Sequence, residues 1–225
     1  MLQLCFEKKI GMLFALSPRP EYDVKSSFYR SEFGLEQGRR INNNKAISDS
    51  IEEAIRLAEL GCRGIIVYDI GVLRILSKMR TEGVLPSTLK FKASSHCMAA
   101  NPMIAKILQE NGADSITTIH DASLATLQEM RRICPGLILD VPTDVYAAKG
   151  GYIRFNELAE IVQIASPVML KMGASAQNHP YDMVSDEIIH SRVKRIMVGL
   201  QHLNRIISQN QQMGNSCNMK CLSQV

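Results

Sequence analysis

Short apolar runs alternate along the chain with segments whose apolar positions recur every three or four residues. The first pattern reads as buried strands and the second as amphipathic helices. "GMLFALSP" (11–18) reads as a strand. "SDSIEEAIRLAELG" (48–61) reads as a helix, with Ser50 and Glu53 as a capping box and Gly61 as its stop. "GIIVYD" (64–69) is a strand apolar on both faces, and "GVLRILSKMR" a helix. "KFKASS" (90–95) follows, then a helix opened by Asn101 with Pro102 at its first position. "SITTI" (115–119) is a strand, with Asp121 or Ser123 capping the next helix. After the "CPG" turn come the strand "LILDVP" (137–142), the helix "FNELAEIVQIA" (155–165) and the strand "PVMLKMG" (167–173). A helix (185–195), a strand "IMVGL" (196–200) and a last helix "QHLNRIISQ" complete the series.

Seven strands, each followed by a helix, predict an α/β fold with a parallel sheet covered on both faces. The even repeat, and the lack of a Gly-rich first turn, favour a (β/α) TIM-type barrel over a doubly wound sheet. The strands are expected near 12–17, 64–69, 91–95, 115–119, 137–142, 167–172 and 196–200. "LQLCFE" (2–7) is a candidate eighth; otherwise the barrel is incomplete. The length suits one domain, 1–208, followed by a polar tail, 209–225, expected to be flexible. Residues 18–47 form a long polar connection, a length that points to a functional or disordered loop.

Composition narrows the function. A net charge of +4 with scattered basic residues leaves nucleic acid open without demanding it. No apolar run reaches the roughly 18 residues of a membrane span, and the N-terminus lacks a signal-peptide pattern. The six cysteines sit apart in apolar contexts or in the tail, as free thiols of a cytoplasmic protein do. A small molecule or a peptide is the expected substrate, and a homo-oligomer is compatible with the chain.

Barrel chemistry sits at the C-terminal ends of strands. Those ends carry Ser17 and Arg19, Asp69, Ser95 and His96, His120 and Asp121, Asp140, Thr143 and Asp144, Lys171, and Gln201 and His202. We read Lys171, His96, His120 and Asp140 as candidate catalytic residues. Arg19, Asp69, Ser95, Asp121, Thr143, Asp144, Gln201 and His202 are candidate substrate-binding residues. Each has a structural alternative: Asp69 and Asp121 as helix caps, the histidines bound to carbonyls, Cys97 as a small buried residue. Lys171, in an apolar strand, either reaches the mouth as a Schiff-base amine or pairs with Asp140 or Asp144. Imidazole plus carboxylate at His96, His120 and Asp140 suits zinc or iron, but no tight motif spaces them, so no metal site is assigned. Cys217 and Cys221 are a weak metal signal.

"GCRGIIVYDIGVLRILSKM", with Gly61, Gly64, Asp69 and Gly71, resembles a strand and helix of the collagenase-like peptidase family U32. The following segment to Met130 resembles that family's next two units through Ser94, Ser95, Asn101, Gly112, Ala113, Ser123, Leu124 and Glu129. The resemblance covers about residues 48–131. It implies a barrel enzyme acting on a peptide, RNA or small biosynthetic substrate, as a hydrolase or an oxygen-independent hydroxylase. The family's Gly- and Cys-rich stretch is absent after 137–142, which argues against an iron–sulfur cluster. The alternatives are a class I aldolase or lyase using Lys171, and a non-catalytic barrel that binds a partner through the 18–47 loop.

Overall fold

The computed structural model describes residues 2–16, 41, 43–179 and 183–212. Ser17, Arg19 with residues 18–40 and 42 of the 18–47 connection, Cys217 and Cys221 lie outside the described residues. Six parallel strands alternate with helices, and the described residues divide into two compact units: 2–99 with 103–117, and 100–102 with 118–212.

The first unit holds α1 (Leu2–Glu7), β1 (Phe14–Ala15), α2 (Asn44–Glu59), β2 (Gly64–Val67), α3 (Ile70–Thr81), β3 (Lys90–Ala93), α4 (Pro102–Glu110) and β4 (Ser115–Thr117). Its strands are neighbours in chain order, with Phe14 opposite Ile65, Val67 opposite Ala93, and Lys92 opposite Ser115. α3 shows how a helix is seated. Asp69 caps it, accepting the Val72 N–H at 3.0 Å. Val72, Leu73 and Leu76 then follow at helical spacing and are buried. Leu73 and Leu76 are wholly covered, worth about 1.5–3 kcal/mol each.

Arg80 ends that helix and pins the strand starts. It donates to the Leu89 carbonyl (2.7 Å), the Gly112 carbonyl (3.1 Å) and the Asp114 carboxylate (2.6 Å). Its guanidinium lies 4.5 Å from the centre of the Phe91 ring, and Asp114 in turn accepts the Phe91 N–H.

The second unit holds α5 (Leu124–Ile133), β5 (Ile138–Pro142), α6 (Leu158–Ala165), β6 (Val168–Lys171) and α7 (Asp186–Gln212). β5 and β6 pair from Leu139–Val168 to Pro142–Lys171. Leu158 and Val162 of α6 and Leu203 of α7 form a core, with Phe155, Val168, Leu170, Met172 and Ile207 against it. Arg131 pins this unit's strand starts. Its fork donates to the carbonyls of Cys134, Pro135, Ala165 and Pro167.

Several expectations are corrected. "IMVGL" is not a seventh strand, and among the described residues there are six strands, not seven or eight. Residues 196–200 lie inside α7, because 185–209 contains no turn signal and its 3.6-residue period runs on through them. Gly199 is a packing glycine there: a Cβ would lie 2.8 Å from Met172 Sδ and 3.2 Å from Phe155 Cζ. "LQLCFE" is helical, not a strand. α2 starts earlier than expected, since Asn43 accepts the Ala46 N–H at 2.8 Å and places Ser50 inside the helix, buried. Residues 209–212 of the expected tail continue α7. Gly61, at φ 84°, does stop α2, and Ser123 rather than Asp121 caps α5.

Among the described residues, no helix is long and apolar enough to cross a membrane.

Candidate functional site

In the first unit the ends of β2 and β3 are adjacent by register, and chemistry collects there. β3 runs into a tight 3-10 turn, Ser95–Cys97. Ser94 caps the turn, its Oγ accepting the His96 N–H at 3.3 Å. The same Oγ lies 3.2 Å from His96 Nδ1. In the tautomer that leaves Nδ1 without a proton, the hydroxyl donates to it, which is the arrangement of a nucleophile and its base. The His96 ring meets the Tyr68 ring edge-on, centroids 5.5 Å apart, and its Nε2 is buried. The Tyr68 edge and the Ser94 hydroxyl together hold the imidazole.

The turn closes on Met98, which is left-handed at φ 53°. Side chains with a Cβ rarely adopt that conformation, and it gathers where local geometry serves function. Ser94 is 6% exposed and Met98 52%. Cys97 points inward, its thiol donating to the Val67 carbonyl at 3.7 Å. Burial, assisted by the charge of Asp69, pushes this thiol up to about 12. It is protonated at neutral pH and is no nucleophile.

Three expected site residues thus share the first unit. Asp69 is a helix cap, Ser95 is buried in the turn, and His96 is the oriented imidazole. Ser94 and Tyr68 were not singled out as site residues. A serine two positions before a histidine at a strand end was the available signal for Ser94; Tyr68 had none beyond its place beside Asp69.

In the second unit the chain after β5 folds back as a small hairpin. Asp144 bridges antiparallel to Ile153, and a 3-10 turn, Ala147–Lys149, lies between. Asp144 is 1% exposed. It accepts the N–H groups of Gly173 (3.1 Å), Ala174 (3.0 Å) and Ser175 (3.3 Å), and the Ser175 hydroxyl (2.6 Å). Gly173 is at φ 95°, so the concave run of N–H groups after β6 is filled by the protein's own carboxylate. Thr143 donates both its N–H (3.0 Å) and its hydroxyl (3.1 Å) to the Lys171 carbonyl. Arg154 pairs with Glu157 and donates to the Ala122 carbonyl at 2.8 Å. The Tyr152 hydroxyl is buried, and burial raises its pKa; Arg154 opposes this, while Asp121 and Glu157 add to it.

Of the other expected residues in this unit, Asp140 is buried on β5 and Lys171 is exposed at the end of β6. His120 and exposed Asp121 lie in the turn before α5. Gln201 and His202 are not at a strand end. Both lie within α7, two and three residues past Gly199, Gln201 exposed and His202 half-buried. Lys92, which was not singled out, is buried on β3 at 9% exposure; its signal was a lysine inside an otherwise apolar strand. Among the described residues, no group of three or more His, Cys, Asp or Glu side chains could hold a metal ion.

No known protein family and no curated protein matches the chain. A solved structure, the U32 peptidase Mk0906, is similar at a TM-score of 0.42 and 13% identity. The likeness covers 83% of this chain and 70% of that one. It is too slight to carry an argument about activity.

Proposed function

We propose that the chain is a U32-like enzyme of TIM-barrel type that works at the C-terminal ends of its strands, with Ser94 and His96 as its reacting pair. The observation that supports this reading is the 3.2 Å approach of Ser94 Oγ to His96 Nδ1, in a turn ending on a left-handed Met98. The reaction class is acyl transfer, with a peptide as the first substrate to try and a small biosynthetic amide behind it. Ser94 Oγ attacks the substrate carbonyl carbon while its proton passes to His96 Nδ1. His96 returns that proton to the leaving amine. Water, deprotonated by the same nitrogen, then releases the acyl group and restores Ser94. A positioned base of this kind contributes about 10²–10⁴-fold. Within the first unit, Asp69 and Ser95 are the polar surroundings of the pair.

The test is covalent. A fluorophosphonate should add to wild type, peptide mapping should place the adduct on Ser94, and Ser94→Ala should remove it. An adduct elsewhere, or none, sinks the reading.

A second reading, Schiff-base lyase chemistry, is supported by the exposure of Lys171 at the end of β6. Borohydride trapping with small carbonyl compounds tests it. Trapping that persists in Lys171→Met dismisses it.

A further inference from the structure

We infer that Arg192 and Tyr146 form an oxyanion-binding subsite, one that takes a carboxylate or phosphate group of a small ligand. The inference rests on the second unit alone and stands whether or not Ser94 reacts.

Hairpin alternation sets the geometry. Asp144 is paired with Ile153, so side chains 144 and 146 project from one face of the hairpin, and 145 and 152 from the other. Asp144 on the first face engages the loop after β6. Tyr146 on that face meets α7: its hydroxyl accepts a hydrogen bond from Arg192 Nη2 at 2.9 Å, and the guanidinium lies 5.7 Å from its ring centre. The backbone of α7 passes directly over Gly173. A Cβ on that glycine would come within 3.3 Å of the Arg192 carbonyl, so the missing side chain is what lets the arginine stand at the end of β6.

The guanidinium there is under-used. It has five N–H donors in a rigid fork. Among the described residues it makes one hydrogen bond, to the Tyr146 hydroxyl. Arg192 Nε is buried and, among the described residues, has no acceptor. Among the same residues no carboxylate pairs with it. Asp144, on the same hairpin face, spends its oxygens on four other donors. A buried N–H without a partner is costly and calls for an explanation.

An oxyanion supplies one. Nε–H and Nη2–H lie on the same edge of the fork and match two oxygens of a carboxylate or phosphate. Tyr146 accepts from Arg192, so its own hydroxyl proton is left for a third bond to the ligand. Because Nε is covered, the fork must tilt slightly toward the ligand as it binds.

The experiment follows the Arg192 Nε–H NMR signal of the full chain during titration with sodium phosphate, and separately with sodium acetate, at constant ionic strength. One ion or both should shift the signal saturably, with a Kd on the order of 1 mM. Phosphate alone would identify a phosphate-bearing ligand, and acetate alone a carboxylate. Binding to Arg192→Met, followed by tyrosine signals, should be weaker by about tenfold or more, and Arg192→Lys should not restore the fork. Tyr146→Phe keeps the ring and the packing, and should weaken binding about threefold; it carries the test if Arg192→Met does not fold. A signal that neither ion moves saturably overturns the inference. So does unchanged affinity in the folded Arg192 or Tyr146 variant.

Discussion

Arg131 and Arg192 are partly buried arginines of the same unit, used in opposite ways. Among the described residues, Arg131 makes five hydrogen bonds to four carbonyls at the starts of strands, and Arg192 makes one, to a tyrosine in the hairpin after β5. Arg80 in the first unit repeats the saturated pattern at its own strand starts. The far ends instead hold a serine–histidine pair and a left-handed methionine in the first unit and, in the second, an Arg192 Nε that has no acceptor among the described residues. Satisfied polar groups stabilise a fold; unsatisfied ones cost stability and persist where a ligand completes them. On the proposed reading the strand starts carry stability and the strand ends chemistry, the division that (β/α) barrels use.

That division can be broken at several points. Arg131→Met keeps the apolar stem and strips the donors from four carbonyls; it should cost about 3 kcal/mol or more. The measurement is the urea midpoint, and a loss below about 1 kcal/mol would blur the comparison. Arg80→Met removes two carbonyl bonds and a partly buried pair with Asp114, and should cost about 2 kcal/mol by the same measurement. Asp144→Asn keeps the shape of the strand-end clamp but removes its charge, costing about 1–2 kcal/mol. Hydrogen exchange should then quicken at Gly173, Ala174 and Ser175 while the Arg131 region stays protected.

The smallest effect concerns Cys97. Its folded pKa, about 12, lies above the 9.0 of an exposed thiol, so the unfolded state releases this proton first. Stability from this source is fully present below pH 9 and is lost as pH rises toward 12. Wild type should therefore lose stability above pH 9 more steeply than Cys97→Ala. Parallel curves would mean that the thiol ionises as readily folded as unfolded.

Some of this was legible in the chain. β2 and α3 could be read because "GIIV" and the spacing of Val72, Leu73 and Leu76 carry unambiguous periods, and Asp69 is a cap by type and position. "IMVGL" misled because β-branched residues and a glycine suggest a strand locally, whereas Ile196, Gly199 and Leu203 continue the inward face of a long helix. Tertiary packing against Met172 and Phe155 decided that question, and packing of distant residues is not written in a local window. The candidate site was half legible. His96 stood out as an imidazole at a strand end, yet its partner Ser94 was hidden among neighbouring serines. Arg192 could not be found from sequence, since its meaning depends on Tyr146, forty-six residues away.

The central claim is that the turn after β3 reacts and that the strand starts only support it. Fluorophosphonate labelling and urea unfolding of the same samples of wild type, His96→Gln and Arg131→Met test it most directly. The account predicts that His96→Gln unfolds within about 1 kcal/mol of wild type and loses labelling at Ser94 by tenfold or more. It predicts that Arg131→Met unfolds much earlier but, while still folded, labels at the wild-type rate. A folded His96→Gln that labels as fast as wild type would contradict it.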